Sequence, residues 1–263
     1  MIMHEENEIG NVYITEVNVT SPHNTPIVLV HGAFHGSWVW RNMMAYFAHD
    51  KWHSIAVDLR GHHRKTRLSR SEIIQTGIMD YVADVDNALK YMEIQNPILI
   101  GHSMGGLISA KIAESYELKA LILIAPSPPA GVKSGLSIGS IDVDKPLVLE
   151  DSKMEELYLK QVPREEKADY KSLFVPASPR AITEIADGLI SVEKSKISCP
   201  VLVINGMLDP QHNKGEDLRV AEYFDAPCIS FPGMGHDMMI ETRWSRVAHM
   251  ISLWLQYVVC KNN

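Results

Sequence analysis

Apolar residues along this chain fall into short dense blocks, separated by longer segments in which they return every three or four positions. The blocks "VYITEV", "PIVLVHG", "SIAVDLRG", "PILIGHS", "LKALILIAP", "PVLVING" and "CISFPG" are rich in Val, Ile and Leu, and most end in Gly, Pro, Asp or Ser. Continuous apolar runs closed by turn residues are the signature of strands buried on both faces of a parallel sheet. The intervening "WVWRNMMAYFAHD", "MDYVADVDNALKYME", "GGLISAKIAESYE" and "RWSRVAHMISLWLQYV" carry the helical period instead. Strand and helix in alternation predict an α/β fold, a mostly parallel twisted sheet with helices on both faces.

The alternation stops between Ser127 and Ser198. That stretch holds no strand-like run, but it has helix starts at Ser152, with Glu155 three residues on as a capping box, at Pro163, and at Ser178-Pro179. The pattern predicts a small helical cap, residues 127–198, inserted into a core made of residues 1–126 and 199–263. A long irregular excursion packed on one face is the alternative, and a loop of that length without structure of its own is uncommon.

Composition narrows the partners. At 263 residues and 46% apolar content the chain can bury a substantial core. Its 25 basic and 32 acidic side chains give a net charge of -7 without a like-charge block, which argues against nucleic acid or an anionic membrane surface as partner. A small neutral or hydrophobic molecule fits better. Cys199, Cys228 and Cys260 are an odd number without C-x-x-C spacing, so they read as reduced thiols. The start "MIMHEENEIG" lacks a basic and an apolar leader region, and no run of about 18 apolar residues occurs, so a cytoplasmic location is expected. Oligomeric state does not follow from these features.

Two segments match G-x-S-x-G: Gly101-His102-Ser103-Met104-Gly105 and Gly135-Leu136-Ser137-Ile138-Gly139. A nucleophile elbow needs a strand before the serine and a helix after it, because the sharp turn holds that residue in a strained conformation at the sheet edge. Ser103 has both, "PILI" before and "MGGLISAKIAESY" after. Ser137 has neither, and it reads as loop at the entry to the cap.

A serine hydroxyl needs a base to take its proton and a third group to orient the base. In elbow-type sheets the partners follow in the order Ser, acid, His. Asp209 follows the block "PVLVING" and His236 follows "CISFPG", both just beyond a predicted strand at the edge that carries Ser103. Their neighbours His212 and Asp237 are the rival base and acid. In isolation Asp209 reads as a turn residue before Pro and His236 as a loop histidine; order and position together make them catalytic candidates.

A tetrahedral intermediate also needs N–H donors. The residue after the serine, Met104, supplies one, and Ala33, in the loop "VHGAFHGSWVW" after an early strand, is placed to supply the other. Phe34, Trp38 and Met207 lie in or beside the same loops and are candidates for an apolar substrate pocket. Met104, Met234 and Met238 share that neighbourhood, and at least half of this aromatic and methionine set is expected in the core. His31-x3-His35, His62-His63 and His212 show no recognised zinc spacing, so no metal is expected.

Together "HGAFHGSWVW", "DLRGH", "GHSMGG", the Asp after "VLVINGML" and the His of "GMGHD" resemble the α/β-hydrolase superfamily over nearly the whole chain. The first motif is most similar to the branch that contains plant methylesterases and hydroxynitrile lyases, with bacterial esterase relatives. The resemblance implies a serine esterase without cofactor, with Ser103, Asp209 and His236 as triad and Ala33 and Met104 as oxyanion hole. Two departures matter. Hydroxynitrile lyases of this branch have Thr after the first His of the early loop and Lys after the catalytic His, where this chain has Gly32 and Asp237, which disfavours cyanohydrin cleavage. The usual Gly-x-Gly after "DLR" reads Gly61-His62-His63. The expected function is hydrolysis of a carboxylic ester, thioester or lactone of a small hydrophobic substrate through an acyl-enzyme on Ser103. A cofactor-independent lyase, oxygenase or acyltransferase on the same fold, and a ligand receptor, are the alternatives.

Overall fold

A computed structural model describes residues 3–20, 22–63, 65, 68–134, 141–211 and 215–260. Eight strands form one sheet: β1 (Met3–Ile9), β2 (Val12–Asn18), β3 (Ile27–Val30), β4 (Ser54–Asp58), β5 (Ile98–His102), β6 (Ala120–Ile124), β7 (Val201–Gly206) and β8 (Cys228–Phe231). Their order across the sheet is β1-β2-β4-β3-β5-β6-β7-β8. The β1–β2 and β2–β4 pairs are antiparallel, and every pair from β4 to β8 is parallel. The seven apolar blocks are β2 to β8. Every residue of β3, β4, β5 and β6 is buried, the reason these blocks are continuously apolar rather than alternating.

β1 was not expected. Its sequence, "MHEENEI", is polar because an edge strand pairs on one side only, and its Glu6, Asn7 and Glu8 face solvent. A hairpin turn through Gly10, whose φ is 58°, holds it to β2.

Connecting helices are α1 (Arg41–His49), α2 (Arg70–Gln75), α3 (Ile78–Tyr91) and α4 (Met104–Ile112) before β6. Between β6 and β7 the described residues contain α5 (Asp151–Leu157), α6 (Lys167–Lys171) and α7 (Pro179–Ala186), with a single isolated bridge, Leu147 to Ala177, and no strand. After β7 come α8 (Glu216–Tyr223) and α9 (Trp244–Leu255). Helix α1 packs against α9, and α3 against α4. Among the described residues no helix is long and apolar enough to cross a membrane.

The β6–β7 segment follows the sequence reading at one of three helix starts. Ser178 accepts from the Ala181 N–H at 3.2 Å, with Pro179 at the first helical position of α7. Helix α5 begins one residue before Ser152, after Glu150 and without a side-chain cap, and the Glu155 carboxylate that a capping box would use pairs with Lys171. Pro163 opens a turn, its carbonyl accepting from Glu166 N–H at 3.0 Å, and α6 starts only at Lys167.

Among the hydrogen bonds that fasten this segment to the rest, four reach α2, α3 and the loop after β3. The Ser178 hydroxyl donates to the Thr76 carbonyl at 2.5 Å, the Arg180 guanidinium to Gln75 at 2.7 Å, and the Ile78 N–H to Glu184 at 2.7 Å. The Val175 N–H donates to the carbonyl of Phe34 at 3.0 Å, which ties the segment to the loop after β3.

Candidate active site

Strand β5 ends at His102, and α4 begins at Met104, so Ser103 alone makes the turn. Its φ of 52° and ψ of -122° lie in a region that costs a non-glycine residue about 1–3 kcal/mol. The flanking glycines allow the crossing. A Cβ on Gly101 would stand 2.3 Å from the Gly105 carbonyl oxygen, and one on Gly105 would stand 2.3 Å from that of Val30. Backbone bonds hold the strained residue in place: Ser103 N–H donates to Ile124 at 3.0 Å, and its carbonyl accepts from Gly106 at 2.8 Å and Ser127 at 3.0 Å. The turn is thus over-determined by β6 and by the start of α4.

Beyond β7 and β8, two loops are joined backbone to backbone. Met207 N–H donates to Phe231 at 3.1 Å and Leu208 N–H to Met234 at 2.8 Å. This brings Asp209 to His236, whose Nδ1–H donates to Asp209 Oδ2 at 2.7 Å with both side chains buried. Asp209 Oδ1 accepts from Gln211 N–H at 2.8 Å. The proton on Nδ1 makes Nε2 the basic nitrogen of the neutral ring. Gly235, just before His236, donates its N–H to both oxygens of Glu241, at 3.0 and 2.8 Å. Burial pushes the Glu241 carboxyl up to about 7, against the pull of the Gly235 N–H and of His236, while Asp237 and Asp209 add to the rise.

The loop after β3 is pinned by histidine. His31 Nδ1–H donates to the Gly32 carbonyl at 2.7 Å, and its Nε2 accepts from Leu59 N–H at 3.1 Å. Both roles need the neutral ring, and burial first, then His62, holds its pKa well below the ordinary 6.5. Phe34, next in the loop after Ala33, has a φ of 65°.

Ser103, Ala33 and Met104 line one cavity of about 250 Å³. Its walls are apolar where the β6–β7 segment supplies Leu147, Leu149, Leu157, Ile182 and Ile185, and polar at Ser127, Gln211 and Glu216. Of the three residues expected to bind substrate, Phe34 lines this cavity. Trp38 does not; its ring packs 5.7 Å from Tyr170 and 5.6 Å from Phe174. Met207 does not line it either, and it is 60% exposed on the outer side of its turn, because the Met207 N–H is bound to Phe231. Met234 and Met238 are core. Ser137 and His212 lie outside the described residues.

Tyr158 escaped the sequence reading. It follows α5, lines the cavity, and sets its ring 5.7 Å from His236, 5.1 Å from His35 and 6.2 Å from Phe34, with its hydroxyl facing the Gln211 side chain. Asp237, the rival acid, pairs not with His236 but with His35, whose Nε2–H donates to it at 2.8 Å. His35, His102 and Asp237 bring three metal-binding atoms within 4.8 Å of one another. Within the protein, His35 Nε2–H donates to Asp237 and His102 Nε2–H donates to the His236 carbonyl at 3.0 Å.

A single-serine elbow after the fifth strand of an eight-stranded, mostly parallel sheet, with an Asp–His pair at the same edge, defines the α/β-hydrolase fold. Residues 25–165, more than half of the chain, match the family described as alpha/beta hydrolase fold, and the chain belongs to that family. It is similar to a non-heme chloroperoxidase of Streptomyces lividans, 32% identical over 41% of this chain and 39% of the relative. It is also similar to methylesterase 9 of Arabidopsis thaliana, 30% identical over 37% of each. The chain spans about two fifths of the length of these curated relatives. Among solved structures, a mutant of N-acyl homoserine lactonase AidH complexed with N-hexanoyl homoserine superposes with a TM-score of 0.75 at 17% identity, covering 98% of both chains.

Proposed function

We propose that the protein is a serine hydrolase of small hydrophobic esters, thioesters or lactones. The reading rests on one observation above others: the buried 2.7 Å bond from His236 Nδ1–H to Asp209, at the sheet edge where Ser103 opens into an apolar cavity. Similarity to a methylesterase and, in fold, to a lactonase supports the substrate class.

In this reading the Ser103 hydroxyl attacks the substrate carbonyl carbon while His236 Nε2 takes its proton. Asp209 holds the imidazole in the tautomer that can accept it and stabilises the imidazolium that forms. The oxygen that becomes negative is received by the N–H groups of Ala33 and Met104, already fixed before the reaction begins. His236 returns the proton to the leaving alcohol, thiol or ring oxygen, leaving an acyl group on Ser103. Water then attacks that ester, again with His236 as base, and the acid departs. Residues 127–198 act as the cap, and their apolar side chains select the substrate.

Intact-protein mass after treatment with a fluorophosphonate tests this directly. A single adduct is expected on the wild type, absent from Ser103→Ala, kept in Ser137→Ala, and formed far more slowly in His236→Ala. Wild-type protein that is folded and takes no adduct, or an adduct that persists in Ser103→Ala, would sink the proposal.

A further inference from the structure

The reaction outlined above leaves a second buried His–Asp pair unused. Asp237 directly follows His236, and its Oδ2 accepts from His35 Nε2–H at 2.8 Å, with both residues fully buried. The other oxygen, Oδ1, faces His102 Nε2 at 3.6 Å, and that same N–H donates to the carbonyl of His236 at 3.0 Å. His35 lies two residues after Ala33 in the loop after β3. His102 immediately precedes Ser103, and its ring stands 4.7 Å from that of His236. One carboxylate therefore meets three loops: the one with the Ala33 donor, the one with the nucleophile and the one with the base.

The far side of His35 is fixed as well. Its carbonyl accepts from His62 Nδ1–H at 2.8 Å, and its ring lies against Trp38, Phe174 and Tyr158 at 5.5, 5.0 and 5.1 Å. A loop held this firmly transmits a displacement at Asp237 instead of absorbing it. Donors to a developing oxyanion must sit within a few tenths of an ångström of its position, and groups that do not touch substrate set that distance.

Resting on the serine-hydrolase reading, we propose that His35 and Asp237 are positioning residues whose buried hydrogen bond sets the Ala33 N–H against the base His236. The pair acts on the transition state. Ground-state binding in the apolar cavity does not depend on it, since neither residue lines that cavity.

The test compares wild type with His35→Asn, His35→Gln, His35→Leu, Asp237→Leu and the double Leu variant. Gln puts an amide N–H where Nε2 stands, and Asn is too short to reach Asp237. The readouts are kcat and KM on p-nitrophenyl butyrate and the affinity of an alkyl boronic acid that forms a tetrahedral adduct with the serine. Thermal unfolding confirms that each variant is folded. Asn and the two Leu variants are expected to lose about 30- to 300-fold in kcat with KM within about twofold, and boronate affinity falls in parallel. Gln recovers most of the loss, and the double variant is no worse than either single one.

Equal losses in Asn and Gln, a change in KM with kcat intact, or additive losses would each overturn the assignment. If the Leu variants fail to fold, the Asn and Gln pair still decides it. A wild type that hydrolyses no ester overturns the hydrolase reading and this inference with it, whereas an active wild type with unaffected variants overturns this inference alone.

Discussion

A methyl group built on Gly32 falls 2.9 Å from the Cβ of Ser103 and 3.1 Å from Nδ1 of His102. Real Cβ atoms do not approach so closely, and the Ser103 Cβ is fixed directly to a strained backbone, so it cannot rotate aside. Gly32→Ala must therefore push the loop after β3 away from the nucleophile, and Ala33 moves with it. The expected loss in kcat/KM is about 10- to 100-fold, the scale of a misplacement of under 1 Å at a reacting centre. Steady-state kinetics on a p-nitrophenyl ester checks it. Full activity in a folded Gly32→Ala would mean that this loop does not serve the oxyanion.

The two acids near His236 separate by substitution. Asp209→Asn keeps the shape of the pair but offers an N–H to the imidazole Nδ1, which stabilises the wrong tautomer. A fall of about 10³–10⁴ in kcat is expected, larger than any loss from the His35–Asp237 pair. Rates of fluorophosphonate labelling in Asp209→Asn and Asp237→Leu measure both on one scale. Labelling of Asp209→Asn at the wild-type rate would transfer the acid's role elsewhere.

Most of the fold was legible because buried parallel strands must be apolar throughout, and each of the seven runs so identified is a strand. The edge strand β1 was not legible, since nothing in a solvent-facing "MHEENEI" requires apolar residues. At the site, sequence order was enough to pair Asp209 with His236, because both sit just past strand ends that the sheet brings together. Met207 shows the limit of that argument. Proximity in the chain to a catalytic loop does not say which way a side chain points, and its turn sends it outward. Tyr158 and the His35–Asp237 pair were out of reach for the opposite reason. Their contacts join segments 78 and 202 residues apart, and no local pattern encodes such pairing.

Tyr158, from the β6–β7 segment, sets its ring 5.7 Å from that of His236 and is 6% exposed. Tyr158→Phe keeps the ring against His236 and is expected to change kcat by less than about threefold. Tyr158→Ala removes a buried aromatic ring and should cost about 3 kcal/mol of stability, read by urea unfolding. It also widens the cavity that Ser103 lines, so KM for short acyl esters rises while branched acyl groups gain relative to them. An unchanged acyl preference in Tyr158→Ala would remove this residue from the substrate path.

Acid should loosen the loop that carries Ala33, and the histidines give the direction. Burial, aided by His35, takes His62 down to about 4 from its ordinary 6.5, although the bond to the His35 carbonyl pulls the other way. Below pH 6.5 the unfolded chain therefore binds a proton that the folded chain refuses until about pH 4. Stability is fully present above the upper value and is lost as pH falls through this window, by about 3 kcal/mol in all at ~1.4 kcal/mol per tenfold change. His31 is lowered in the same sense. Two buried carboxyls oppose this: burial raises Asp58 to about 6 and Glu241 to about 7, so each holds its proton longer in the folded state and favours folding on the acid side. Single substitutions separate the contributions. His62→Asn, whose amide N–H stands where Nδ1 donates to the His35 carbonyl, should shrink the loss of stability between pH 7 and pH 5 by about 2 kcal/mol. Glu241→Gln should enlarge it, because the carboxyl that gains stability on acidification is gone. Urea unfolding at the two pH values reads both effects, and a His62→Asn protein with the wild-type pH dependence would show that His62 is not the group that titrates.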